Sequence, residues 1–210
     1  NGENFESTCI ISNADPKTTY LDLLGAEILD TDFIRRTKNF RNKGNVAKLE
    51  LVLENEININ NIDKNMFGKF IYAPSIKYIE HAFNANKYKK YSENPCLEFY
   101  VNQNTISANV YYVPYLINTN HQESEIIERC VSVLSKFIQD MKIAKQKLIT
   151  PNKMEEKYNI AGGHWHHGDF EIDQLLMMRP FYGSAQYSTP INGLYLCSAG
   201  THPGGGLTGI

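Results

Sequence analysis

CLEFYVNQNTISANVYYVP, residues 96–114, sets the architecture of this chain. Two apolar runs rich in β-branched and aromatic residues, Cys96 to Asn102 and Thr105 to Pro114, flank the short polar link Gln103-Asn104. Such residues suit a pleated, half-buried surface, and a two-residue link is the connection that folds two strands into an antiparallel hairpin. A third strand lies upstream in VAKLELVLE, residues 46–54, where Ala47, Leu49, Leu51 and Leu53 alternate with Lys48 and Glu50. That period of two puts one face in a core and the other in water. An antiparallel sheet is the natural way to combine the three.

Helical patterns surround these strands. From Gln122 to Leu148, Ile127, Cys130, Val131, Leu134, Phe137, Ile138 and Met141 recur at spacings of three and four. Glu125, Glu128, Lys136 and Asp140 fall on the other faces, which predicts one long amphipathic helix. Thr150-Pro151 opens a shorter helix, with Thr at the cap and Pro at the first helical position. PSIKYIEHAFNANKYKKY, residues 74–91, holds another. KTTYLDLLGAEIL, residues 17–29, supplies a short one with Tyr20, Leu23 and Leu24 on its inner side and Gly25 at its end. The sum is an α+β fold, a mostly antiparallel sheet covered by helices.

The two ends do not obviously belong to that sheet. STCIISNADP, residues 7–16, reads as an apolar strand entering a turn, and INGLYLCSAG, residues 191–200, as a compact strand from Leu194 to Cys197 entering a glycine-rich loop. A strand, a glycine turn and a helix together present backbone N–H groups and a positive helix end to a phosphate or an electron-rich ring. Glycine serves there because a Cβ would hold the ligand away. A solvated tail would have the same composition.

Composition narrows the field further. The formal charge is -2, from 21 basic and 23 acidic side chains, so nothing points to nucleic acid. Four cysteines without a C-x-x-C pair suit a reducing compartment. No apolar run reaches the roughly 18 to 20 residues that span a bilayer, and no basic-then-apolar leader stands at Asn1. The reading is a soluble, cytoplasmic protein, with peripheral membrane contact left open, cut from something longer because it starts Asn1-Gly2.

Several side chains stand out as candidates. His164-Trp165-His166-His167 places three imidazoles in four residues. No cysteine or carboxylate sits at a recognised ligand spacing and no His pair falls at i, i+4, so no metal is expected. Arg179, after the apolar run Leu175 to Met178, could neutralise a ligand oxygen or tie down a loop through backbone carbonyls. Tyr100, Tyr111, Tyr112 and Tyr115 could line a channel for a long apolar molecule or pack the sheet.

GGHWHHGDFEIDQLLMMRPF (162–181) and YSTPINGLYLCSAGTHPGGGLTG (187–209) resemble the C-terminal signature of the phytoene desaturase-like FAD-dependent oxidoreductases, and CIISNADPKTTYLDLLG (9–25) resembles that family's middle segment. The resemblance implies a FAD domain assembled from separate stretches, whose N-terminal βαβ unit with its G-x-G-x-x-G turn would precede Asn1. Residues 1–20 and 186–210 would then be remnants of the FAD domain at both ends, and 21–185 a substrate domain. It further implies that Gly200, Thr201, Pro203, Gly204, Gly205, Gly206 and Thr208 lie against FAD, and that His164, His167 and Arg179 help position substrate or flavin. Ser198 departs from the glycine usual there, which puts close backbone approach at that position in doubt.

The implied partners are an apolar, isoprenoid or polyene substrate and the N-terminal FAD-binding portion, without which the chain is expected neither to hold FAD tightly nor to turn over. The implied chemistry is hydride transfer between substrate and flavin, with no catalytic residue evident. Isomerisation or saturation of a polyene, or a noncatalytic binding module, are the alternatives. Exposed faces on the two end strands would also favour a homodimer.

Overall fold

The structure, a computed structural model, describes residues 2–59, 68–117 and 119–205. Its strands are β1 (Ile10–Ser12), β2 (Val46–Leu53), β3 (Lys69–Tyr72), β4 (Cys96–Asn102), β5 (Thr105–Tyr111), β6 (Ile143–Ile149) and β7 (Leu194–Leu196). The α-helices are α1 (Thr31–Asn39), α2 (Ile76–Lys87), α3 (Asn120–Leu134) and α4 (Pro151–Tyr158). The chain divides into two compact units, residues 45–154 and residues 1–44 with 155–210. Residues 21–44 and 155–185, grouped by sequence with the middle of the chain, thus fold in the same unit as its ends.

In the unit of residues 45–154, five strands pair antiparallel in the order β3-β4-β5-β2-β6. The hairpin closes with Asn102 opposite Thr105, and Gln103 takes the left-handed φ of +52° that a tight turn demands. Ala47, Leu49, Leu51 and Leu53 face inward with Leu97, Phe99, Ile106, Ala108 and Val110, and α3 lays Ile126, Ile127, Cys130, Val133 and Leu134 on them. Burying each large apolar side chain stabilises by about 1.5–3 kcal/mol, which makes this cluster the anchor of the unit. The other face of the sheet is polar: Glu98 accepts hydrogen bonds from Asn109 Nδ2 (3.1 Å) and Tyr111 OH (3.0 Å), and the Ser107 hydroxyl donates to Glu50 (2.9 Å).

One sequence expectation fails here. The helix predicted through Leu148 ends at Leu134, and Ile143–Ile149 forms β6, antiparallel to β2 with Leu148 opposite Leu49. IAKQKLI can alternate as readily as it can wind, and pairing satisfies N–H and C=O groups along an edge of β2 that a helix would leave bare. Lys145 and Lys147 keep the new edge exposed and charged, a common guard against further pairing. Ile138 is buried all the same, and Phe137 and Met141 pack beside it, so the apolar spacing recorded burial correctly while the backbone turned.

In the unit formed by the ends, β1 and β7 pair in parallel, Ile10 with Leu194, Ile11 with Tyr195 and Ser12 with Leu196. Backbone bonds extend the pair at both ends, from Ile10 N to Gly193 O (2.8 Å) and from Cys197 N to Ser12 O (2.9 Å). After β1, the Asp15 carboxylate accepts from the N–H groups of Lys17 (2.9 Å) and Thr18 (3.1 Å), with Pro16 at the first helical position. The next turn winds wide, Leu24 N bonding to Thr19 O, and stops at Gly25 with φ +82°. Tyr20 is buried as expected, whereas Leu23 is 67% exposed because the wide winding carries it off the 3.6-residue stripe. Asp30 caps α1 through Asp32 N (2.8 Å), and Tyr20, Leu29 and Leu196 form a small core with Phe33, Ile34 and Ile191.

Candidate functional site

The loop after β7 is held by its own turn. Ser198 O accepts from Thr201 N (3.0 Å) and from the Thr201 hydroxyl (2.6 Å), and the Ser198 hydroxyl accepts from Gly200 N (3.2 Å). Ser198 is therefore buried as a turn former. The glycines are demanded by neighbouring protein atoms. A Cβ on Gly200 would run into the Pro16 ring, and one on Gly205 into the His166 ring. Gly204, at φ +122°, would place a Cβ 3.2 Å from Phe170 Cε1 and 3.5 Å from Arg179 Cδ. The side of the loop on which side chains would project is thus filled by the turn after β1 and by residues 166–179. Gly206 and Thr208 lie outside the described residues.

Arg179 sits beneath this loop with no exposed surface. Its Nε donates to Ala199 O (2.8 Å), Nη1 to Asp169 O (3.0 Å) and Gln174 O (3.0 Å), and Nη2 to His166 O (2.6 Å) and Gly168 O (3.0 Å). A guanidinium has five N–H donors, so every one is spent on a main-chain carbonyl. The rings of Phe170 and Phe40 lie 4.9 and 5.8 Å from its central carbon, within cation–π reach. Among the described residues no carboxylate comes within ion-pair distance of it. Burial lowers its pKa to about 10, which leaves it charged at neutral pH. The apolar run before it is turned outward: Leu176 and Met177 are 61% and 74% exposed.

The histidines are neutral neighbours of that charge. His164 is buried, its Nδ1 accepts from His166 N (3.2 Å), and its Nε2 stands 3.7 Å from Asp169 Oδ1. Burial, then the repulsion a second imidazolium at His166 and the Arg179 cation would exert, push its pKa down to about 4, so the approach to Asp169 is no ion pair at neutral pH. Burial also lowers His166 and His167. His166 meets Phe170 edge to face at 4.8 Å. His167 adopts φ +56°, and its Nδ1, like that of His202, is buried without a hydrogen-bond partner among the described residues. No three His, Cys, Asp or Glu side chains among the described residues are grouped to hold a metal ion.

The cavity bordered by Tyr91, Tyr111 and Tyr112 measures about 10 Å³, room for about one water molecule. A wider cleft of about 410 Å³ lies between α1 and residues 181–190, lined by Asp30, Phe33, Arg36, Phe181 and Ser188. Its charged groups are spent locally, Asp32 on Arg35 and Arg36, and Asp30 on its own helix cap. No helix among the described residues is long and apolar enough to cross a membrane.

Two signals escaped the sequence reading. Asp15-Pro16 is a helix start as well as a turn, and it brings Pro16 against Gly200. Gly204, Gly206 and Gly209 also stand at G-x-G-x-x-G spacing, although only the first is described.

Comparison with known proteins finds distant relatives. The mouse protein named pyridine nucleotide-disulfide oxidoreductase domain-containing protein 2 is 24% identical over 236 residues, covering 99% of this chain and 40% of that protein. Its rat counterpart is 23% identical over 235 residues with the same coverage. One of the limonene dehydrogenase subunits of Castellaniella defragrans is 32% identical over 85 residues, 39% of this chain and 16% of that protein. The chain spans about 40% of the length of the two rodent relatives. No family model and no solved structure matches it.

Proposed function

We propose that this chain is part of a FAD-dependent oxidoreductase of the phytoene desaturase-like class, acting on an apolar isoprenoid or polyene substrate. Distant kinship with proteins named as oxidoreductases supports the redox part. The observation that carries the reading further is the parallel pairing of β1 with β7, whose carboxyl-end turns meet where Gly200 packs on Pro16. In open α/β sheets, ligands bind outside the carboxyl ends of parallel strands.

Bound FAD would supply a ring that accepts hydride from a C–H bond. Gly200, Thr201, Pro203, Gly204 and Gly205, followed in sequence by Gly206 and Thr208, would hold it. The buried Nδ1 atoms of His167 and His202, unpartnered among the described residues, fit a polar heterocycle that would satisfy them. His164 and His167, kept neutral by burial, would border the substrate without presenting a charge to it. The substrate class draws support from the name of one relative, since limonene is an apolar isoprenoid hydrocarbon.

The test is to purify the full-length protein that contains this chain, release its small molecules by denaturation and identify them chromatographically. FAD is expected, and anaerobic addition of an isoprenoid polyene should bleach its absorption. Product analysis then separates desaturation from isomerisation and saturation. A full-length protein free of flavin overturns the proposal.

A further inference from the structure

We infer that Arg179 is the positioning residue of the glycine loop, fixing the loop conformation on which flavin binding depends; the flavin part of this rests on the function proposed above. The side chain meets the loop at two places. Nε holds Ala199 O at 2.8 Å, and the aliphatic stem lies beside Gly204, close enough that a Cβ added there would come into ordinary contact with Cδ at 3.5 Å. The same guanidinium gathers the carbonyls of His166, Gly168, Asp169 and Gln174. One planar fork therefore sets the loop relative to the segment that carries the histidines, with Phe170 and Phe40 beside it.

Chemistry makes this side chain hard to replace. A guanidinium presents its donors in a rigid plane, whereas an ammonium has three donors on a flexible stem. Without the fork, these carbonyls lose a charged side-chain donor, and the segments that bear them are free to part. Burying a charge with no carboxylate partner is costly in itself. Here the five carbonyl dipoles offset it, and the charge left under the loop favours electron density on whatever lies against the loop.

The experiment compares the full-length wild-type protein with Arg179→Lys. Hydrogen–deuterium exchange is expected to rise by about tenfold or more in peptides covering 166–174 and 197–205, the loss of one or more charge-assisted bonds. Peptides covering 96–111 should exchange as in wild type. The flavin dissociation constant should rise by about tenfold or more. Unchanged exchange in 197–205 overturns the inference, and so does raised exchange with wild-type flavin affinity, which would make Arg179 structural only. A wild-type protein without flavin overturns the proposed function instead, and exchange in 197–205 then decides whether Arg179 positions the loop. Should the lysine variant fail to fold, the wild-type Arg179 Nε–H resonance gives the answer: slow exchange with solvent is expected, and fast exchange overturns the inference.

Discussion

Gly200 packs directly against Pro16, so the turn that follows β7 and the turn that follows β1 occupy one place although they come from opposite ends of the chain. Replacing Gly200 with Ala should force those turns apart and destabilise the protein by about 1–3 kcal/mol, the usual range for overpacking. Gly68→Ala is the control, because no atom of the described residues lies within 4 Å of its Cβ position. Chemical unfolding of both variants checks this, and equal stability of Gly200→Ala and wild type would disprove the contact.

Leu51 and Leu23 separate the real core from its apparent members. Leu51 has no exposed surface, and Leu51→Ala should cost about 2–5 kcal/mol. Leu23→Ala should change stability by less than about 0.5 kcal/mol, as exposed positions do. A comparable loss in both would mean that the wide turn after Pro16 is wound otherwise.

His164 makes stability depend on pH. Its folded pKa of about 4 lies below the ordinary 6.5, so the unfolded chain binds the proton more readily. The neutral ring's contribution is fully present above pH 6.5 and is lost as pH falls toward about 4, by up to about 1.4 kcal/mol per pH unit. Asp169, raised above its usual value by burial, acts in the opposite sense at the low end, so the slope is clearest near pH 5 to 6. Unfolding free energies measured from pH 7 to 5 should fall for wild type and fall less for His164→Gln. Parallel slopes would show that His164 is not the buried neutral group described.

The cysteines should label in a fixed order. Cys9 is exposed, whereas Cys130 has no exposed surface and burial pushes its thiol pKa up to about 12, leaving almost no thiolate at neutral pH. A thiol reagent should modify Cys9 in the native protein and Cys130 only on unfolding. Native labelling of Cys130 would contradict its place on α3.

Strands β2, β4 and β5 and helices α2 and α4 were legible because their signals are local. Alternation at Ala47 to Leu53, the turn at Gln103-Asn104 and the proline that opens α4 each act within a few residues. The surroundings of Arg179 were not legible as an arrangement. Arg179 could be singled out from its neighbours in the chain, yet its carbonyl partners come from five separate positions between His166 and Ala199. Residues 143–149 were misjudged for a related reason, since β2 lies far away in the chain and its free edge outweighs a weak local preference for helix. Periodicity and caps therefore named the elements, while strand partners, buried charge and the ionisation of His164 awaited the folded chain. The energies that settle those features come from groups distant in sequence, and they exist only once folding has removed the water between them.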